Sequence, residues 1–258
     1  MTDLAPPVAA APPLGLVFGS LLRADLAVLL HSGRTLVLNI AMPIVILVIT
    51  NLGHGKLTVN TAGFDIGMAL TYGLVSSSLI AYSMTVARDR ELGVFQRLRV
   101  TPAPTWTIMT SRLLVQVFAN MVMTVVVVVL GSIIHDVTFS VGSYLLIGLV
   151  SLLGSAVFLS LGQAMVGLIS SAAVVNAVGR ILYIALILLG LLGSTGALGD
   201  TMQTVAAWSP AGALINLFAA VTQFSVWGAA DTEALIASVG YIAVGLFVGI
   251  RWFRWVPH

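Results

Sequence analysis

The chain reads as an all-α integral membrane protein with six transmembrane helices. Three observations lead there. Its 258 residues are 59% hydrophobic and only 8% charged, with a mean hydropathy of +1.09, whereas a soluble domain carries about 25% charged residues. Apolar runs approach or exceed the ~20 residues that cross a bilayer. The basic residues fall almost entirely on alternate connections between those runs, as the positive-inside rule requires. There is no cysteine, which removes disulfides and thiolate metal ligands and says nothing about compartment. The pI is near 9.3, but the formal excess is only +2. Its distribution follows the membrane rule, so no nucleic-acid partner is expected.

Residues 1–13 are rich in Ala and Pro with a single acid, Asp3. They read as a disordered tail and lack the basic start of a signal peptide. Residues 14–34 form an amphipathic helix: Phe18, Leu22, Leu26 and Leu29 share one face, and Ser20, Arg23, Ala27, His31 and Arg34 another. Such a helix suits the cytoplasmic interface before the chain turns into the bilayer; an ordinary cytoplasmic helix packed on a partner is the plainer alternative. The spans follow at about Leu36–Leu52, Ile66–Ala87, Trp106–Ile134, Val141–Ile169, Ala177–Leu198 and Ala234–Ile250. The first contains Pro43, which membrane helices tolerate. The three pairs of spans do not echo one another, which counts against an inverted-repeat carrier.

With six spans both termini share a side. That side holds Arg23, Arg34, Arg88, Arg90, Arg97, Arg99, Arg112, Arg180, Arg251 and Arg254, and the other only Lys56. Both termini are therefore expected in the cytoplasm, in a multi-pass inner-membrane protein. Residues 205–221 are apolar and nearly long enough to span, but Trp208-Ser209-Pro210 and Gly212 interrupt them. A seventh span would also carry Arg251 and Arg254 to the wrong side. A re-entrant segment, dipping in from the outer face and buried by protein, is the reading adopted.

Between the second and third spans lies Arg88-Asp-Arg-Glu-Leu-Gly-Val-Phe-Gln-Arg-Leu-Arg-Val-Thr-Pro102. Leu92, Phe95 and Leu98 recur at helical spacing, Arg88 and Glu91 are close enough to pair on a helix, and the prolines after Thr101 end it. Thr105 can cap the next helix. A short cytoplasmic helix over 88–100 is expected, with an apolar stripe and a charged face. The stretch resembles the signature of type-2 ABC exporter permeases, in which a charged turn, Glu-x-Gly, a short apolar-basic helix and Thr-Pro follow the second span. Glu91, Gly93, Leu98, Thr101 and Pro102 match it. The resemblance extends over nearly the whole chain: N-terminal amphipathic helix, six spans, and an apolar re-entrant segment containing Ser209-Pro210. The size and the sparse outer loops are most similar to the drug- and lipid-exporting branch.

That resemblance implies one permease domain over 14–258, paired with a second permease in a homodimer or heterodimer. It implies a separate cytoplasmic ABC ATPase subunit that holds ATP and Mg. It implies that Arg88, Arg90, Glu91, Phe95 and Arg97 couple the membrane domain to that subunit. The plainer alternative is that these charges set topology and cap the spans, which is all that is expected of Arg112 and Arg180. The residues themselves agree that ATP is not hydrolysed here. The phosphate-binding loop needs Gly-x-x-x-x-Gly-Lys-Ser/Thr, and the single lysine, Lys56, is followed by Leu57.

Other chemistries find little purchase. The four histidines, at 31, 54, 135 and 258, lie in loops or at helix ends. None can activate Gly193-Ser-Thr-Gly196 as a nucleophile inside the membrane, and they offer no metal-ligand spacing. The span centres carry no ionisable group, as ion channels and proton-coupled carriers usually do, which points to a large amphipathic or apolar cargo. Thr71, Ser78, Tyr82 and Thr85 share a face of the second span, and Gly193 and Gly196 cluster near the end of the fifth. The resemblance puts these two spans beside the export route; helix packing is the equally simple alternative. A membrane-embedded assembly or sensor subunit without transport of its own is the other functional class.

Overall fold

The computed structural model describes residues 13–31, 33–53, 59–99, 104–195, 199–223 and 227–252. Among them the secondary structure is entirely helical: α1 (Leu14–His31), α2 (Gly33–Gly53), α3 (Val59–Leu74), a π-helical segment (Val75–Tyr82), α4 (Ser83–Glu91), α5 (Val94–Arg99), α6 (Thr105–Ile134), α7 (Val141–Leu168), α8 (Ala172–Thr195), α9 (Asp200–Trp208), α10 (Pro210–Gln223) and α11 (Ala229–Trp252). The tail over 1–12 lies outside the described residues.

Six described helical stretches are long and apolar enough to cross a membrane: 14–31, 62–91, 106–134, 141–168, 172–190 and 229–252. Five match expected spans. The sixth is α1, while α2 contributes the shorter apolar stretch Ile40–Thr50. Packing separates the two. α1 runs along the charged-loop half of α6, with Leu21 against the Phe95–Ile108 cluster and Asp25 bonded to Ser111. α2 covers the opposite half, with Pro43 beside Gly73 and Leu47 near Gly131. On α1 the half-buried residues include Phe18, Leu22, Leu26 and Leu29, while Ser20, Arg23, Ala27 and His31 are exposed. This is the division its sequence pattern predicts.

The bundle is held by close helix contacts rather than by an aqueous surface. α7 and α11 run parallel along a small-residue seam, where Gly245 meets the Ser160 backbone and Gly249 meets Gln163; such contacts let membrane helices approach closely. Exposed apolar side chains such as Leu145, Leu149, Phe247 and Ile250 face outward, as expected where the solvent is hydrocarbon.

α9 and α10 meet at a bend of 85°. Ser209 begins α10: its Oγ accepts the Gly212 N–H at 3.0 Å and donates to the Ala206 carbonyl at 2.6 Å, and Pro210 takes the first helical position, where its missing N–H costs nothing. A Cβ at Gly212 would collide with the Ala206 carbonyl, so the bend requires glycine there. α10 then runs antiparallel to α3, with Leu214 near Leu74 at Gly154, Phe218 against Gly67 and Thr222 against Gly63. It thus returns toward the end of the bundle away from the charged loop, where α9 also begins. The two helices form a bent pair over 200–223, longer than the 205–221 expected of a re-entrant segment. The Tyr241 hydroxyl donates to the Trp208 carbonyl at 2.9 Å, tying the bend to α11.

Candidate functional site

The charged loop does not form one helix over 88–100. α4 carries the second span on to Glu91, and the chain then turns at Leu92–Gly93 before α5. Gly93 has φ +68°, a left-handed conformation that ends a helix cheaply only at glycine. Val100–Ala103 lie outside the described residues. α6 is capped at Pro104, not by Thr105; the Thr107 hydroxyl donates back to the Pro104 carbonyl at 2.6 Å.

Arg90, buried, and Glu91, exposed, both reach the turn joining α7 to α8. Arg90 is 3% exposed. Its Nη1 donates to the Val166 carbonyl at 2.8 Å, and its Nη2 donates to the carbonyls of Ile169 at 2.6 Å and Ser170 at 2.8 Å. These belong to the last turn of α7 and the residues just after it, where helical carbonyls have no partner of their own and the helix dipole favours a cation. Glu91 does not pair with Arg88. Its Oε1 accepts the Ala172 N–H at 2.7 Å, the first donor of α8, where the dipole favours an anion. Two consecutive side chains of opposite sign thus hold the end of one helix and the start of the next. A guanidinium with three carbonyl acceptors and 3% exposure does not present itself to a docked subunit.

Phe95 is also internal, 1% exposed, in a cluster with Tyr82, Val86, Ile108, Leu159 and Val166. The Arg112 guanidinium lies 4.9 Å from its ring centroid, a cation–π contact, and pairs with Asp89. Arg112 therefore does more than set topology: it fastens α5 and the end of α4 to α6. What α5 and its approach leave exposed are Arg88, Glu91, Leu92, Gln96 and Arg97. Of the five expected coupling residues, Arg88 and Arg97 face solvent, Arg90 and Phe95 are buried, and Glu91 is exposed but anchored.

Behind this region lies a cavity of about 370 Å³ between α1, α6 and the second span. Tyr82 and Thr85 line it with Asp25, Asp89, Arg112 and Gln116. The Tyr82 hydroxyl accepts from Gln163 Nε2 at 2.5 Å. The other expected pathway residues are elsewhere. The Thr71 hydroxyl donates to the Gly67 carbonyl at 2.8 Å within its own helix. Gly193 is in α8, 21 residues beyond Ala172 and so about 30 Å along the helix from the charged end. Gly196 lies outside the described residues. The five that are described do not converge.

The profile of the family described as ABC-2 type transporter matches residues 17–222, most of the chain. The chain belongs to that family. The "Putative transport permease YvfS" of Bacillus subtilis (strain 168) is 26% identical over 145 residues, covering 55% of this chain and 59% of that protein. The match thus spans under two thirds of its length. Membership in the ABC-2 family, together with six described helices long and apolar enough to cross a bilayer, makes this a multi-pass membrane protein.

One feature of the ABC-2 chain escaped the sequence reading. Asn120, at the middle of α6, is 1% exposed and uses its whole amide. Its Oδ1 accepts from Ser77 at 2.7 Å and Gln116 at 3.2 Å, and its Nδ2 donates to Ser78 at 2.8 Å and Ser155 at 3.0 Å. Ser77 and Ser78 stand on the π segment, where the i→i+5 pattern is rare and often marks a functional site. So Ser78 is engaged within the bundle. A lone Asn inside a 30-residue apolar helix was the available signal, since an unpaired amide in hydrocarbon is costly. Asp25, similarly, is a carboxylate in a helix otherwise read as apolar and basic.

Proposed function

We propose that this chain is the permease of an ATP-driven exporter. It works as a dimer with a second permease, in the inner membrane, with both termini cytoplasmic and α1 at the cytoplasmic interface. Its cargo is amphipathic or apolar: a drug, lipid or glycolipid. ATP and Mg reside on the partner ATPase subunit, which docks on the exposed side of the Leu92–Arg97 segment. The observation that carries this reading is the anchoring of the charged loop. Through Arg90 and Glu91 the end of the second span is fixed to both α7 and α8. A push delivered at α5 therefore reaches three membrane helices together.

The test is co-reconstitution with a candidate ABC ATPase subunit, sought as an adjacent reading frame that carries the phosphate-binding loop. The double variant Leu92→Ala/Arg97→Glu changes only exposed side chains and should leave the melting temperature unchanged. It should lower permease-stimulated ATP hydrolysis by about tenfold, the loss of a single interface hot spot. Undiminished stimulation and transport would overturn the docking assignment. Transport absent from the wild-type complex across lipids and amphiphilic drugs would favour an assembly or sensor role.

A further inference from the structure

We infer that the cavity between α1, α6 and the second span is a binding site for an amphipathic organic cation. This rests on the exporter reading only in calling the ligand a cargo; the site itself is argued from geometry. At about 370 Å³ the cavity falls within the range of small-molecule pockets. Its apolar wall includes Val28, Leu29, Ala81 and Val115. Its charged lining is Asp25, Asp89 and Arg112, two acids against one base, beside the neutral Tyr82 phenol. Arg112 is already committed to Asp89 and to the Phe95 ring. Asp25 is held by a neutral donor, the Ser111 hydroxyl at 2.5 Å, so its formal charge is not cancelled by that bond. A half-buried carboxylate above an apolar wall selects a cation with an apolar body. An anion of the same shape would meet the acid, and a small hydrated cation would gain nothing from the wall.

The placement gives the site a role. A ligand there contacts α1, which covers the cavity, and touches the Asp89–Arg112 pair that fastens α5. Occupancy is thus felt at the segment where the ATPase is proposed to dock.

The experiment uses the full chain in lipid nanodiscs, with empty discs subtracted, and two probes of matched shape and opposite charge: tetraphenylphosphonium and tetraphenylborate. Saturable binding of the cation, and none of the anion, is expected. Asp25→Asn should weaken the cation by at least about tenfold, the loss of one charge-assisted contact, while Asp25→Glu should retain it. Val115→Trp, which fills the cavity and keeps the charge, should abolish it. No saturable cation binding to wild type, equal binding of both probes, or a smaller effect of Asp25→Asn each overturns the site. If Asp25→Asn does not fold, Val115→Trp decides alone, and retained binding overturns. Binding that obeys these rules without tetraphenylphosphonium-stimulated ATP hydrolysis in the complex would retract the exporter reading and leave the site standing.

Discussion

At the scale of single residues, the charged loop is first an instrument of internal architecture, and its docking role is the proposal built on that. Arg90→Met leaves the terminal carbonyls of α7 without donors and should destabilise the protein by about 2–4 kcal/mol, read as a lowered melting temperature in detergent. Arg90→Lys, with a single ammonium and no fork, should recover only part of that. Glu91→Gln keeps an acceptor for Ala172 and should be mild, whereas Glu91→Ala removes a helix N-terminal cap and should cost about 0.5–2 kcal/mol. Equal melting temperatures for Glu91→Ala and wild type would show that the cap carries no stability. The types of these residues were legible in the sequence, and so was their position beside a membrane span. Their targets were not. The acceptors of Arg90 and the donor for Glu91 are backbone groups some 80 positions away, and nothing in Ile169, Ser170 or Ala172 advertises them. Asn120 had a readable signal, but its four partners come from three separate helices.

At the scale of elements, periodicity located the helices well and their breaks less well. Leu92, Phe95 and Leu98 have helical spacing, so the pattern ran on through Gly93, where a left-handed residue in fact turns the chain. Gly93→Ala should destabilise that turn by about 1–2 kcal/mol, the cost of holding a Cβ in this conformation. It should lower coupling between transport and hydrolysis more than it lowers the melting temperature; an unchanged coupling ratio would refute this. The bend between α9 and α10 was legible because Trp208-Ser209-Pro210 and Gly212 interrupt an apolar run, and the proposed re-entry of the pair is a question of sidedness. The absence of cysteine makes it directly testable. Single cysteines at Thr201 and Ala230, both exposed, should react with an impermeant maleimide from the same, outer side of the membrane. Labelling from opposite sides would mean the bent pair spans.

At the scale of the whole molecule, composition alone set the solvent, and the asymmetry of ten arginines against one lysine set the orientation to be tested. A reporter fused after His258 should behave as cytoplasmic, and an external signal would invert the proposed topology. What the sequence left unresolved was how α1 and α2 divide the surface of α6, since length and hydropathy favour α1 as a span and only packing assigns it to the charged half. The Arg90–Glu91 corner has one more consequence, for how such a chain can change over time. Because both side chains meet main-chain groups, no change of side chain at the partner positions can compensate for losing either, and their order is dictated by chain direction: the cation meets a helix ending, the anion a helix beginning. The exchange Arg90→Glu with Glu91→Arg conserves composition and net charge yet should be no more stable than Arg90→Met. Partners among side chains can drift together; this pair is tied to the polarity of the polypeptide itself.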